Sequence, residues 1–258
     1  MRLKILEAGL ISFLIVISCS CSQGGSRFDD IRPVSEISAD RLDNNWLPLD
    51  ATAVCDTSAD GGLTLQYKFY SKDCLCTSNP LLVIVNPESW EVTMNGGKPL
   101  PMNRVHLLDD GDACFELGGM VLGGENIISL RCSTAPSERP SAYIAGGFDV
   151  LPDEECTWLL APAKVLGLGS WASQGLPFYR SDIAYRCTFE LPAKVGRRTL
   201  HLGEWKGSLC EVWINGEKAG DIPAKHHRLR IGSFLNPGLN EVELHVTGDG
   251  LYEAFTIE

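Results

Sequence analysis

Past residue 40 the chain alternates apolar and polar positions with a period of two, or runs apolar for several residues, segment after segment. LTLQYKFY (63–70), LLVIV (81–85), WEVTM (90–94), NIISLRC (126–132), IAYRCTFEL (183–191), RTLHLG (198–203), CEVWI (210–214) and NEVELHV (240–246) carry the pattern. Side chains of an extended strand point alternately to its two faces, so these segments predict strands with one or both faces buried. Long segments with a 3.6-residue period are missing once the first residues are set aside, and the expected class is all-β.

The predicted strands recur as a set. The first copy runs from Tyr67 to Asn95-Gly96 and on to Gly124-Glu-Asn126; the second runs from Tyr185 to Asn215-Gly216 and on to Gly238-Leu-Asn240. About thirty residues separate the tyrosine from Asn-Gly in each, and 30 and 24 residues then lie between the two asparagines. Asn-Gly after an apolar strand is a strong hairpin signal, because a type I′ turn needs positive φ at both central residues. The repeat predicts two tandem domains, each a β-sandwich with jelly-roll connections. The expected boundaries are 41–157 and 158–258, with the seam marked by Pro152, Pro162 and a Gly-rich GLG.

The N-terminus reads differently. MRLK is basic and AGLISFLIVIS (8–18) is apolar, a run of signal-peptide length and short of the roughly 20 residues of a membrane span. It ends in Val16-Ile17-Ser18-Cys19, which resembles a bacterial lipobox. That resemblance makes residues 1–18 a signal peptide, Cys19 the lipidated first residue, and 19–40 a polar tether. It implies an exported lipoprotein of the cell envelope, on the periplasmic or surface side of the outer membrane, held to the membrane through the lipid alone.

Charge and composition narrow the function. The net charge is −11 and no basic run occurs, which argues against nucleic-acid binding. Cys55, Cys74, Cys76, Cys114, Cys132, Cys156, Cys187 and Cys210 follow the lipobox. An exported chain can pair them, yet several sit in apolar runs where a free thiol packs as a small hydrophobe, and no pairing is assigned. Cys74-Leu-Cys76 lacks zinc-site spacing. Asp109-Asp110 and Glu154-Glu155 are adjacent acids in polar turns, whereas glycoside hydrolysis holds two carboxylates about 5–9 Å apart across a cleft. His226-His227, if on a strand, point to opposite faces. Catalytic residues and metal ligands are therefore not assigned, and no cofactor is expected.

VWINGEKAGDI followed by LNPGLNEVELHV resembles the sugar-binding β-sandwich domain of family 2 glycoside hydrolases, through Val212, Trp213, Asn215, Gly216, Gly220, Leu235, Gly238 and Asn240. GSWASQGLPFYRSDIAY resembles the segment that opens such a domain in α-L-rhamnosidase-type enzymes of family 106, through Trp171, Gln174, Gly175, Pro177, Phe178, Tyr179 and Tyr185. The resemblance implies two galactose-binding-like domains of the accessory kind. It allows a structural calcium but places no ligand for one. Two sandwiches leave no room for a (β/α)₈ barrel of about 250 residues. The implied function is a non-catalytic carbohydrate-binding lipoprotein whose partner is a poly- or oligosaccharide. The alternative is an interaction module, or a shortened glycosidase, that docks to a separate catalytic subunit. Candidate contacts are Trp171, Gln174, Phe178, Tyr179, Trp205, His226 and Arg228. Three of the rings lie in GSWASQGLPFYR (169–180), a segment with loop signals; they either pack inward or form a platform for a sugar. Trp213 poses the same question, since either Trp213 or its neighbours Val212 and Ile214 face the core.

Overall fold

The computed structural model describes residues 32–33, 35–54, 62–75, 78–87, 90–102, 107–108, 111–133, 139–152, 156–162, 166–191 and 196–258. Among them the regular structure is strand, broken by two short 3₁₀ turns, with no α-helix. Cys19, Asp109-Asp110 and Glu154-Glu155 lie outside the described residues. The chain divides into two compact units: one built from 41–166 and 170–182, the other from residues up to Asp40, 167–169 and 183–258.

The 41–182 unit is a β-sandwich. One sheet has the order Asn45–Leu49, Ser141–Gly146, Leu81–Val85, Asp112–Glu116, Leu100–Met102. The other has the order Asp149–Pro152, Thr157–Leu160, Leu63–Ser71, Gly124–Cys132, Glu91–Met94, with Ala51–Val54 also paired to Leu63–Ser71. Leu63–Ser71 buries every second side chain, as its sequence pattern predicts. Its Leu65, Tyr67 and Phe69 meet Leu47, Ile84 and Ile144 of the opposite sheet in one apolar cluster with Ile128 and Leu130. Each such side chain contributes roughly 2 kcal/mol through burial.

The 183–258 unit has a six-stranded sheet in which Ile183–Leu191, Gly238–Leu251, Trp205–Ile214 and Glu217–Pro223 are neighbours in that order, with the short strands Arg32–Pro33 and Ser38–Arg41 paired to Ile183–Leu191. A second sheet has three short strands, Arg228–Arg230, Thr199–His201 and Thr256–Ile257. Tyr185, Val212, Ile214, Val242, Leu244 and Leu200 have no exposed surface and form its interior.

The sequence repeat has a physical core. Asn95 and Asn215 have φ of 49° and 53°, and Gly96 and Gly216 both have φ of 81°, the backbone a type I′ turn requires. Behind each turn lies a buried asparagine. Asn126 Oδ1 accepts from Leu122 N–H (2.8 Å) and Asn95 Nδ2 (2.9 Å), while its Nδ2 donates to the Leu122 and Gly124 carbonyls. Asn240 Oδ1 accepts from Asn236 N–H (2.8 Å) and Asn215 Nδ2 (2.9 Å), while its Nδ2 donates to the Asn236 and Gly238 carbonyls. The same staple is built twice. The tyrosines, however, are not equivalent. Strand register sets Phe69 opposite Asn126 and Phe189 opposite Asn240. Tyr67 then corresponds to Cys187, and Tyr185 to Leu65. The aligned anchor is the phenylalanine, which precedes its Asn-Gly asparagine by 26 residues in both units.

Of the cysteines, Cys114, Cys132, Cys156, Cys187 and Cys210 are free and all but Cys156 are buried, whereas Cys74 is disulfide-bonded. Burial pushes the Cys187 and Cys210 thiols up to about 12.

Candidate carbohydrate-binding cleft

In the 41–182 unit, SWASQGLPFYR (170–180) folds back onto the sandwich. Gly175 makes this possible: its φ is +90°, and a Cβ there would stand 2.7 Å from the Asp149 Cβ. Its carbonyl accepts from Val150 N–H (2.7 Å) and from Asn45 Nδ2 (3.0 Å). Asp149 is buried and paired with Arg41, which also donates to the Phe148 carbonyl at 2.8 Å. Trp171 is 2 % exposed and meets Tyr179 edge to face, with centroids 6.0 Å apart. The Tyr179 hydroxyl accepts from the Leu42 and Asp43 N–H groups, both at 3.0 Å, and donates to the Asp182 carbonyl at 2.8 Å. Burial raises its pKa above the ordinary phenol value. Trp171 and Tyr179 are therefore packing and tethering groups; neither offers a ring face to a ligand.

Phe178 is different. It is half-buried, packing on the core with one part and lining a cleft with another. That cleft has a volume of about 300 Å³. Its floor is the outer face of the five-stranded sheet. Pairing sets Trp46 opposite Ala145, and Pro48 opposite Tyr143. Trp46 and Tyr143 cover the wholly buried Val83 and Ala145 and meet edge to face, with centroids 6.1 Å apart. Asn45–Leu49 is an edge strand, where Pro48 costs no ladder hydrogen bond. One wall comes from Leu107 and Leu108, whose N–H groups both donate to Asp112 Oδ2 at 2.9 and 2.7 Å. The other comes from Phe178, Arg180 and Ser181, with Asp43 beside them. Arg180 is exposed and makes no ion pair with a described residue. Aromatic surface beside a carboxylate, a guanidinium and a hydroxyl suits a ligand with apolar faces and many hydroxyls.

The remaining candidates are placed as follows. Gln174 is half-buried and its Nε2 donates to the Ser170 carbonyl at 3.3 Å. Trp205, His226 and Arg228 belong to the 183–258 unit. Trp205 is 8 % exposed and its Nε1 donates to the His226 carbonyl, so it is a packing group. His226 and Arg228 are exposed. Trp213 faces outward: Val212 and Ile214 have no exposure, while its ring lies 5.9 Å from that of His245. His245 contacts Glu243, whose carboxyl is held below the usual carboxylate range by the Arg186 hydrogen bond first and by His245 as well. Among the described residues no group of three His, Cys, Asp or Glu side chains could hold a metal ion. Sequence reasoning missed Trp46 and Tyr143. The proline in NWLPL and the small residues in SAYIAG weakened both strand signals.

No known family model matches the chain, and no curated protein matches it. Among solved structures it is similar to an α-L-rhamnosidase of Streptomyces avermitilis, at 18% identity and a TM-score of 0.35, covering 83% of this chain and 26% of the enzyme. A rhamnosidase from a Novosphingobium species is similar at 16% identity and a TM-score of 0.30, over 80% of this chain and 21% of that one. A β-D-mannosidase of Dictyoglomus thermophilum is similar at 11% identity and a TM-score of 0.24, over 83% and 31%. The chain thus spans less than a third of each enzyme's length. These neighbours are glycoside hydrolase chains, and at such scores no property of theirs is carried to this protein.

Proposed function

We propose that this protein is a non-catalytic carbohydrate-binding lipoprotein and that its ligand, a poly- or oligosaccharide, sits in the cleft over Trp46 and Tyr143. The observation that carries the reading is the composition of the cleft: Trp46, Tyr143 and Phe178 rings together with Asp43, Arg180 and Ser181. Aliphatic C–H faces of a sugar ring pack on aromatic surface, while its hydroxyls take hydrogen bonds from charged and polar rims. The volume is at the small end of ligand pockets, which run from about 300 to 1,000 Å³. It suits the end of a chain or one or two sugar rings. Cys19, outside the described residues, would carry the lipid.

A second reading has its own support. Leu100 is 68% exposed and Leu108 47% exposed; Leu108 lines the cleft, and Leu100 stands on the same outer sheet face as Met102. An apolar margin of this kind suits docking to a glycosidase subunit. Affinity electrophoresis of the full chain against neutral rhamnose-, galactose- and glucose-rich polysaccharides separates the readings. The carbohydrate reading expects retardation by at least one, lost in Trp46→Ala and weakened in Arg180→Gln. Retardation by none, or retardation that survives Trp46→Ala, rejects it.

A further inference from the structure

We propose that the outward face of the three-stranded sheet in the 183–258 unit is a separate binding surface for a uronate-bearing, anionic polysaccharide. Leu200 pairs with Leu229 on one side and Ile257 on the other, and Leu200 has no exposure. That row faces inward. The alternate row, Thr199, His201, Arg228, Arg230 and Thr256, therefore faces out. Leu229 itself is seated against Gly220, where a Cβ would come within 3.1 Å of its Cδ1, so Arg228–Arg230 is fixed with its arginines outward.

Arg228 and Arg230 are exposed, and neither has an ion-pair partner among the described residues. Same-face residues on a strand stand about 6.6 Å apart. Exposed Lys225 and His226 lie on the turn that leads into Arg228, and exposed Arg197 precedes the neighbouring strand. Among the described residues the acid on this face is Glu258, which meets His201 Nε2 at 3.2 Å; Glu253 lies past the His201 end, with its Oε2 accepting from Glu204 N–H. Arg228 and Arg230, neither held in an ion pair with a described residue, make a local basic strip in a chain of net charge −11. Their field is local, since salt screens charges beyond about 8 Å.

Arginine forks match carboxylates in two-point hydrogen bonds, and a uronate chain presents carboxylates at repeating intervals. The three strands carry no Phe, Tyr or Trp on which bases could stack, which disfavours a single-stranded nucleic acid. A strip three strands wide fits one extended chain better than the plane of a bilayer. This surface does not depend on the cleft reading.

The test uses the full chain, Arg228→Gln/Arg230→Gln and Trp46→Ala, in affinity gels holding polygalacturonate or a neutral galactan, beside sedimentation with phosphatidylglycerol vesicles. Polygalacturonate is expected to retard the wild type at low salt. The double variant, with an unchanged melting temperature, should bind it about tenfold more weakly, and Trp46→Ala should bind it like wild type. The proposal is overturned if polygalacturonate does not retard the wild type, if the double variant is retarded equally, or if Trp46→Ala abolishes the effect. Vesicle binding that the double variant loses, without polygalacturonate binding, also overturns it. Failure of Trp46→Ala to alter neutral-glycan binding would bear on the cleft alone.

Discussion

Replacing Asn240 by alanine removes one side chain and four hydrogen bonds at once. Asn240 is 1% exposed; it accepts from Asn236 N–H and Asn215 Nδ2, and donates to the Asn236 and Gly238 carbonyls, all between 2.7 and 3.0 Å. A net hydrogen bond is worth about 1 kcal/mol, and a buried group left unpaired costs about 1–3 kcal/mol. Asn215 and Asn236 are exposed enough for water to replace part of what is lost, so the expected cost is about 3 kcal/mol. Asn126→Ala removes the matching four bonds in the other unit and should cost about the same. Asn240→Asp keeps the acceptor but loses both donations, and should recover little. Urea unfolding gives the total. Because one transition need not describe two units, hydrogen exchange along Gly238–Leu251 and Gly124–Cys132 gives each unit separately. A cost below about 1 kcal/mol for either alanine variant would refute the idea that these staples hold the hairpins.

Further predictions concern the loop, the thiols and pH. Gly175→Ala meets both a positive φ and the buried Asp149, so it should lower stability by about 2 kcal/mol or more and weaken glycan binding through displacement of Phe178 and Arg180; denaturation and affinity gels check the two effects. Among the five free cysteines of the described residues, Cys156 should react first with iodoacetamide at pH 8, while Cys187 and Cys210, with thiols pushed up to about 12, should react only on unfolding; peptide mapping by mass spectrometry decides. The same two thiols ionise near 9.0 once unfolded, so their contribution is complete below that pH and is lost as pH rises toward 12, which alkaline urea titrations of Cys187→Ala should show as a flatter decline. Glu243 has the opposite sign: its depressed carboxyl pKa contributes stability above about 4.5 that disappears as pH falls, and Glu243→Gln should be less sensitive to acid.

The Asn-Gly hairpins and the Gly-x-Asn strand entries were legible in the sequence because they depend on local backbone conformation, which a dipeptide specifies. The tyrosine anchor was misleading. Register depends on which residue faces the staple asparagine across the sheet, and Phe69 and Phe189 hold that place. GSWASQGLPFYR was legible as unusual, but sequence could not divide its rings. Trp171 and Tyr179 fill the interior while Phe178 reaches the cleft, a partition set by Gly175 and the Asn45 and Asp43 contacts more than a hundred residues earlier in the chain. Trp46 and Tyr143 were illegible for a different reason. Both faces of their sheet carry apolar side chains, so the period-two signal fades where the cleft is built.

The cleft is tested most directly by isothermal titration of an oligosaccharide, cut from whichever neutral polysaccharide the gels identify, into wild-type protein, Trp46→Ala and Arg180→Gln. Loss of a central aromatic contact is expected to cost about 2 kcal/mol, or roughly 30-fold in affinity, with a smaller loss for Arg180→Gln and the fold intact in both. Equal affinity in the wild type and Trp46→Ala would contradict the account, and would move the site away from the outer face of the five-stranded sheet.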